Sequence, residues 1–353
     1  METEEKQWDA GTSYGTAGRE NGMNQQVKEE IIEKLRGMGL TAHGFMQVKT
    51  LKDSLDYFAQ RKSMGLTTSF EENDLDRKID LSTEMGSART IISVAFPYFY
   101  DAYIHNEGYF SLYTLGKDYH VVVKDHLEKI AEIIRSRGYE ARVFADNNSL
   151  PERYIAHVAG TGDIGRNHMV ITRDYGSYVF LGEILTDLPL ETKERDWREI
   201  PDHGVCGDCQ RCVKACPTQI LGSELYDTKR CMSYITQSKE VPDEDLLLFK
   251  GRLFGCDTCQ RACPLNQGVK TSPLGEFQPR EYMKYPDLLE ILSLTNEEFR
   301  KYKETSSGWR GKKLLQRNAM IELMRRGRRP DEAMVNTDYL RTYYNRLQKL
   351  FNL

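Results

Sequence analysis

The chain has 353 residues, with 49 Lys and Arg against 53 Asp and Glu and a net charge of −4, and it is long enough for two or three domains with buried cores. No apolar run approaches the ~18 residues that would mark a membrane-spanning helix. Residues 1–23 lack the apolar core of a secretory leader and a twin-arginine pair, so they read as a disordered tail on a chain expected in the reducing cytoplasm.

In chain order, Val27, Ile31, Ile32, Leu35 and Met38 share one face of a predicted helix over 24–38, closed by Gly39. A short strand over Phe45–Val48 and a helix over 51–62 follow. Thr90–Phe96 is an apolar run ending at Pro97, which suits a strand buried on both faces. After a tyrosine-rich loop (Tyr98–Lys117), Asp118 is placed to cap a helix running to about Arg137. Ala141–Ala145 reads as another buried strand, 151–159 as a helix, and His168–Thr172 and Tyr178–Leu185 as strands joined by a turn at Tyr175-Gly176. Strands alternating with helices make residues 24–195 an α/β layer structure.

All eight cysteines lie between Cys206 and Cys263. The run Cys206-Gly-Asp-Cys209-Gln-Arg-Cys212-Val-Lys-Ala-Cys216-Pro has the spacing of bacterial ferredoxins, in which three thiolates bind one [4Fe–4S] cluster and the fourth crosses to a second. Its counterpart, Cys256-Asp-Thr-Cys259-Gln-Arg-Ala-Cys263-Pro, has Leu253 where a first cysteine would stand, and Cys231 is the candidate to replace it. The thiols then divide evenly: Cys206, Cys209, Cys212 and Cys263 for one cube, Cys216, Cys231, Cys256 and Cys259 for the other. Two structural zinc sites are the competing reading, but these usually come as separated Cys-x2-Cys pairs.

Beyond the cysteines, 286–305 reads as a helix, and so does 312–324, with Leu315, Ala319 and Leu323 on its apolar stripe. Arg317, Asn318 and Glu322 fall off that stripe and are expected to face outward. A last helix runs from Thr337 to Phe351. From Arg300 onward the chain carries 14 Lys and Arg against 5 Asp and Glu, so an acidic body ends in a basic segment suited to a polyanion. A solvated helix face would give the same charge count.

Asp146 stands outside the carboxyl end of a strand, where α/β proteins place chemistry, although a turn-capping acid fits the same position. Gly160-x-Gly162-x-x-Gly165 precedes a strand rather than a helix and is therefore not a dinucleotide loop.

With the cysteine run, Cys231-Met-Ser-Tyr-Ile-Thr-Gln-Ser-Lys239, Tyr-Thr-Leu-Gly-Lys-Asp-Tyr-His120 and Gly255-Cys-Asp-Thr-Cys-Gln260 in view, the chain resembles the epoxyqueuosine reductase family over about residues 25–325. That resemblance implies reduction of epoxyqueuosine at the tRNA wobble position, using base-off cobalamin and two [4Fe–4S] clusters. It implies a cobalamin-binding α/β domain with a mixed sheet over 24–195 and a ferredoxin-type double-cluster domain over 196–275. A short, basic, HEAT-like helical region would occupy 276–353.

Carried over residue by residue, the resemblance makes Asp146 the proton donor, with Tyr119 and His120 lining the site. It puts cobalamin contacts near Ser111, Asp146, Val170, Leu181, Ser233 and Asp257, and tRNA contacts at Gln237, Ser238 and Lys239. The basic segment adds Lys312, Lys313, Arg317, Arg325 and Arg326 as expected tRNA contacts, and an external reductant protein is implied. The chain is expected to act as a monomer. Asp163 replaces a tryptophan usual in the family, and the helical end is shorter than in the family's longer members. A corrinoid reductase of small molecules and a ferredoxin-type electron carrier are the alternatives. The second leaves residues 24–195 without a purpose.

Overall fold

The structure, a computed structural model, describes residues 14–102, 107–223 and 225–353, and for residues 14–21, 53, 201 and 202 the backbone alone. Residues 1–13 of the expected tail and 103–106 of the tyrosine-rich loop lie outside the described residues. The rest of that tail is corrected: a helix, Tyr14–Gly37, begins well inside it.

The strands, in chain order, are β1 (His43–Gln47), β2 (Thr90–Pro97), β3 (Tyr109–Phe110), β4 (Ala141–Phe144), β5 (Asp163–Ile164), β6 (Val170–Ile171), β7 (Val179–Thr186) and β8 (Arg252–Phe254). A four-stranded sheet has the order β1-β2-β7-β4, and all eight residues of β2 are buried. Side chains alternate across the pleat. Ile92, Val94 and Phe96 join a core with the helices Tyr14–Gly37 and Tyr119–Ser136. Ile91, on the opposite face, packs with Phe58 and Ile155 from the helices Leu55–Ser63 and Glu152–Val158.

The mixed sheet expected from the sequence is corrected, because every pairing in this sheet is antiparallel. A strand covered on both faces is apolar throughout whichever way its neighbour runs, so the apolar runs carry no information about direction. The parallel pair is β3 with β8, which ties the cysteine segment to the α/β half. Around it, Phe110, Met232, Phe249 and Leu253 share one core with Leu315, Ala319, Tyr343 and Leu347 of the C-terminal helices.

Two further expectations change. The helix expected over 286–305 divides into Leu288–Ser293 and a tight turn, Glu298–Glu304. Between them Thr295 and Glu298 exchange backbone-to-side-chain hydrogen bonds of 2.8 and 3.2 Å, a capping box that starts a new element. On the helix Lys312–Arg325, Arg317, Asn318 and Glu322 are fully buried rather than outward-facing.

A candidate active site beside paired cysteine clusters

Asp118 caps the helix Tyr119–Ser136 as expected: its carboxylate accepts from the His120 amide at 2.9 Å and from His120 Nδ1 at 2.8 Å. The next side chain, Tyr119, is clamped between His120 (ring centroids 4.1 Å apart) and Phe180 of β7 (4.3 Å, nearly parallel). The helix can lie this close to β7 because Gly182 has no Cβ, which would stand 2.5 Å from Val123. From that clamp the Tyr119 hydroxyl donates to Asp146, and His120 Nε2 lies 3.5 Å from the same carboxylate.

Asp146 and Asn147 both adopt left-handed backbone conformations, at φ 56° and 52°, which Asp and Asn tolerate better than most residues. The turn is held from behind by Glu152, whose Oε1 accepts from the Asp146 amide at 3.0 Å and from Asn148 Nδ2 at 2.9 Å. The neighbouring Tyr119 and His120 thus meet Asp146, from a separate stretch of chain, at one carboxylate.

Crowding by its neighbours would push the Asp146 carboxyl up, but hydrogen bonds from His120, Tyr119 and the Asn147 amide outweigh it and hold the group at about 2. His120 moves the other way. Burial lowers it, while the carboxylates of Asp118 and Asp146 raise it to about 9. At neutral pH the proton therefore sits on His120 and the negative charge on Asp146. Two further acids went unassigned from the sequence. Glu152 is pushed up to about 7 by burial and then by the Asp146 charge. Glu183 is wholly buried on β7 and pushed well up by burial and then by Glu152. The available signal was Glu183 itself, the single charge in the apolar run Tyr178–Leu185.

Cys206, Cys209, Cys212 and Cys263 surround one cavity of about 110 Å³, with Asn167 and Pro264 in its wall. Cys231 and Cys259 are pushed up by burial and then by neighbouring thiols, Cys256 for the first and Cys231 for the second. Arg252 Nε donates to Cys256 Sγ at 3.3 Å, which places a buried cation beside that sulfur.

Among the other expected cofactor contacts, Ser111 Oγ and Asp257 Oδ1 are buried with no hydrogen-bond partner among the described residues, while Asp257 Oδ2 accepts from the Leu112 amide at 2.9 Å. Ser233 lies on the helix Met232–Gln237, its carbonyl accepting from Gln237 Nε2 at 2.9 Å. Val170 and Leu181 meet in a separate apolar cluster with Ile164 and Ile200. Asp163, in the tryptophan position, is paired with Arg195 at 2.6 Å.

The expected tRNA contacts divide. Gln237, Ser238 and Lys239 sit at the end of Met232–Gln237, with Lys239 exposed. Arg317 is corrected, because it is enclosed and donates to the carbonyls of Ser238 (2.6 Å) and Lys239 (3.2 Å) and so cannot reach a phosphate. Arg325 pairs with Glu322 at 2.8 Å, and Arg326 donates to the Glu107 carbonyl. Lys313 is exposed and Lys312 half-buried, and neither forms an ion pair among the described residues.

Residues 205–266 match the family model described as "4Fe-4S double cluster binding domain", and residues 78–147 match "Epoxyqueuosine reductase QueG, DUF1730". The epoxyqueuosine reductase of Bacillus subtilis strain 168 is 34% identical over 310 residues, covering 84% of this chain and 79% of that protein. That of Lactococcus garvieae is 33% identical over 310 residues, covering 85% and 87%. The fold superposes with a TM-score of 0.85, at 30% identity, on a crystal structure of an epoxyqueuosine reductase with an epoxyqueuosine-modified tRNA-Tyr stem loop, covering 93% of this chain and 91% of that one. A Bacillus subtilis epoxyqueuosine reductase with its catalytic aspartate loop swung out of the active site matches at 0.82, with the same identity and coverage.

Proposed function

The chain belongs to the epoxyqueuosine reductase family, and from that premise we infer how its own residues act. The protein reduces epoxyqueuosine to queuosine in tRNA. Loss of the epoxide oxygen as water consumes two electrons and two protons, so the site needs an electron supply and a proton supply at once.

The observation that carries the proposal is the convergence of Tyr119 and His120 on Asp146. His120 holds the proton at neutral pH, Asp146 keeps Tyr119 and His120 aimed at one point, and the leaving oxygen takes its proton from this group. Asp146 is therefore charged before substrate arrives, and it becomes the immediate donor only if substrate strips away its hydrogen bonds. Glu152 holds the Asp146 turn in place, the counterpart of the aspartate loop seen swung out in the relative.

We assign Cys206, Cys209, Cys212 and Cys263 to one [4Fe–4S] cluster and Cys216, Cys231, Cys256 and Cys259 to the other, fed by an external reductant protein. The shared cavity of the first four thiols supports the division. Cys231→Ser is expected to lose one cluster and keep the other by EPR and iron count, and two intact clusters would overturn the assignment.

The unpartnered Ser111 Oγ and Asp257 Oδ1 fit cobalamin, whose amide-rich rim would satisfy both. When bound, cobalamin supplies a reduced metal centre able to pass two electrons to a carbon–oxygen bond. Ser111, Ser233 and Asp257 would hold it on the cysteine side, Val170 and Leu181 would supply apolar contact, and Asp146 would face the substrate. Cells lacking this protein are expected to accumulate epoxyqueuosine in tRNA. A normal queuosine content would overturn the reading.

A further inference from the structure

Three aromatic side chains from separate stretches of chain meet at the surface, outside the group around Asp146. Phe70 packs against Tyr234 (ring centroids 5.1 Å apart) and edge-on against Trp309 (5.3 Å). Phe70 and Trp309 are 47% and 54% exposed, an unusual amount for two touching aromatics of that size. Trp309 does not hang free. Its indole N–H donates to Gln237 Oε1 at 3.0 Å, and the neighbouring Arg310 guanidinium lies 4.7 Å from the Trp309 ring and 5.6 Å from the Phe70 ring. Arg310 Nε is itself fixed on the Gln237 carbonyl at 2.8 Å. The polar edge of the indole is thus satisfied while much of its apolar surface stays open, Arg310 supplies positive charge beside it, and Lys312 and Lys313 open the helix that follows in the chain.

The cluster is linked to the candidate active site. Gln237 Nε2 lies 3.5 Å from the Tyr113 hydroxyl, Tyr113 meets Phe180 edge-on, and Phe180 carries Tyr119 on its face. An anchored, open aromatic surface with cations alongside is what an unpaired nucleobase with its phosphate requires. A protein partner would be expected to bury such a patch under a broader apolar surround, whereas the rim here is charged.

We propose that Trp309 and Phe70, backed by Arg310, form a stacking platform for an unpaired anticodon-loop base adjacent to the one reduced at Asp146. The proposal rests on the tRNA reading above and adds a second base-binding point to it.

A synthetic anticodon stem-loop with guanosine at the wobble position tests the platform without any epoxide chemistry. Binding by the reconstituted full chain is followed by anisotropy of labelled RNA. Trp309→Ala and Phe70→Ala are each expected to weaken binding, the former roughly 5- to 150-fold, the range for one lost base–aromatic stack. The salt slope should be unchanged, because no phosphate contact is removed. Trp309→Phe should recover most of the affinity, whereas Trp309→Leu, apolar but without a π face, should not.

Equal affinity of the Phe and Leu variants, or wild-type affinity for the Ala pair, overturns the platform, and so does a loss of affinity that comes with a flattened salt slope. If Trp309→Ala fails to retain its iron, the Phe and Leu comparison decides alone. Tight stem-loop binding by wild type without reduction of epoxyqueuosine would sink the parent reading and leave the platform standing. Normal reduction with unaffected variants would do the opposite.

Discussion

The helices Tyr119–Ser136 and Lys312–Arg325 are both expected from sequence, yet they use their polar residues in opposite ways. On the first, Val122, Val123, Leu127, Ile130 and Ile134 are buried and the polar start of the helix stays at the surface, where Tyr119 and His120 meet Asp146. On the second, burial extends around the whole circumference from Leu314 to Met324. Arg317 lies at its centre, stacked on Tyr343 and bonded to carbonyls of residues 236, 238 and 239 and to the Tyr339 hydroxyl. Asn318 donates to the carbonyls of Thr236 and Leu253. An apolar stripe says which side of a helix must be buried. It does not say that the other side is free when a neighbouring loop presents carbonyls that have lost their water.

If this contrast holds, substitutions at the start of the first helix and its partner loop should cost activity before stability, and those on the second should do the reverse. The largest effect is expected for Asp146→Asn. Asparagine tolerates the left-handed backbone, so the thermal midpoint should hold while turnover falls roughly 10²- to 10⁴-fold, the range for a positioned acid–base group. A single-turnover assay on epoxyqueuosine tRNA reads the first quantity and calorimetry the second. Arg317→Ala should invert the pattern. It leaves the Ser238 carbonyl without its donor, removes further bonds to the Thr236 and Lys239 carbonyls and empties a fully buried site, and denaturant unfolding under anaerobic conditions should show a loss of about 3 kcal/mol or more. A change below 1 kcal/mol, on the order of a surface substitution, would mean that Arg317 is replaceable and the contrast false.

The third test is pH. Because His120 is raised to about 9 and must be protonated to act, kcat should be level through neutrality and decline as pH climbs through that region. Asp118→Asn removes one of the carboxylates raising it, so the decline should begin at lower pH. An alkaline limb in the same place for this variant would detach His120 from the proton supply. The smallest effect is expected within the basic C-terminal segment. Arg328 and Arg329 pair with Glu107 and Glu332, as Arg325 does with Glu322, so much of this charge is already matched. Replacing Arg325, Arg326, Arg328 and Arg329 together with Gln should lower stem-loop affinity less than replacing Lys312 and Lys313 with Gln, with the salt slope as readout.

What the sequence made legible followed from patterns contained in single segments. The apolar runs at 90–96 and 178–185 are β2 and β7, the Asp118 cap is in place, and the spacing of Cys206, Cys209 and Cys212 puts three thiols on one cavity. Features that need two distant segments were not legible. The carbonyls that draw Arg317 inward belong to residues 236–239, and nothing local to 312–324 announces them. Phe70 gains its meaning from Trp309 at the far end of the chain. The Asp146 charge state was hidden for the same reason, since it depends on hydrogen bonds from Tyr119 and His120 and not on the strand that carries it.

The short helix Met232–Gln237 begins directly after Cys231 and ends at the residue that anchors both Trp309 and Arg310. Six residues therefore join the cysteine proposed above as a cluster ligand to the surface proposed to hold RNA. A molecule whose cluster has been destroyed by oxygen would lose the fixed start of that helix and, with it, the orientation of Gln237.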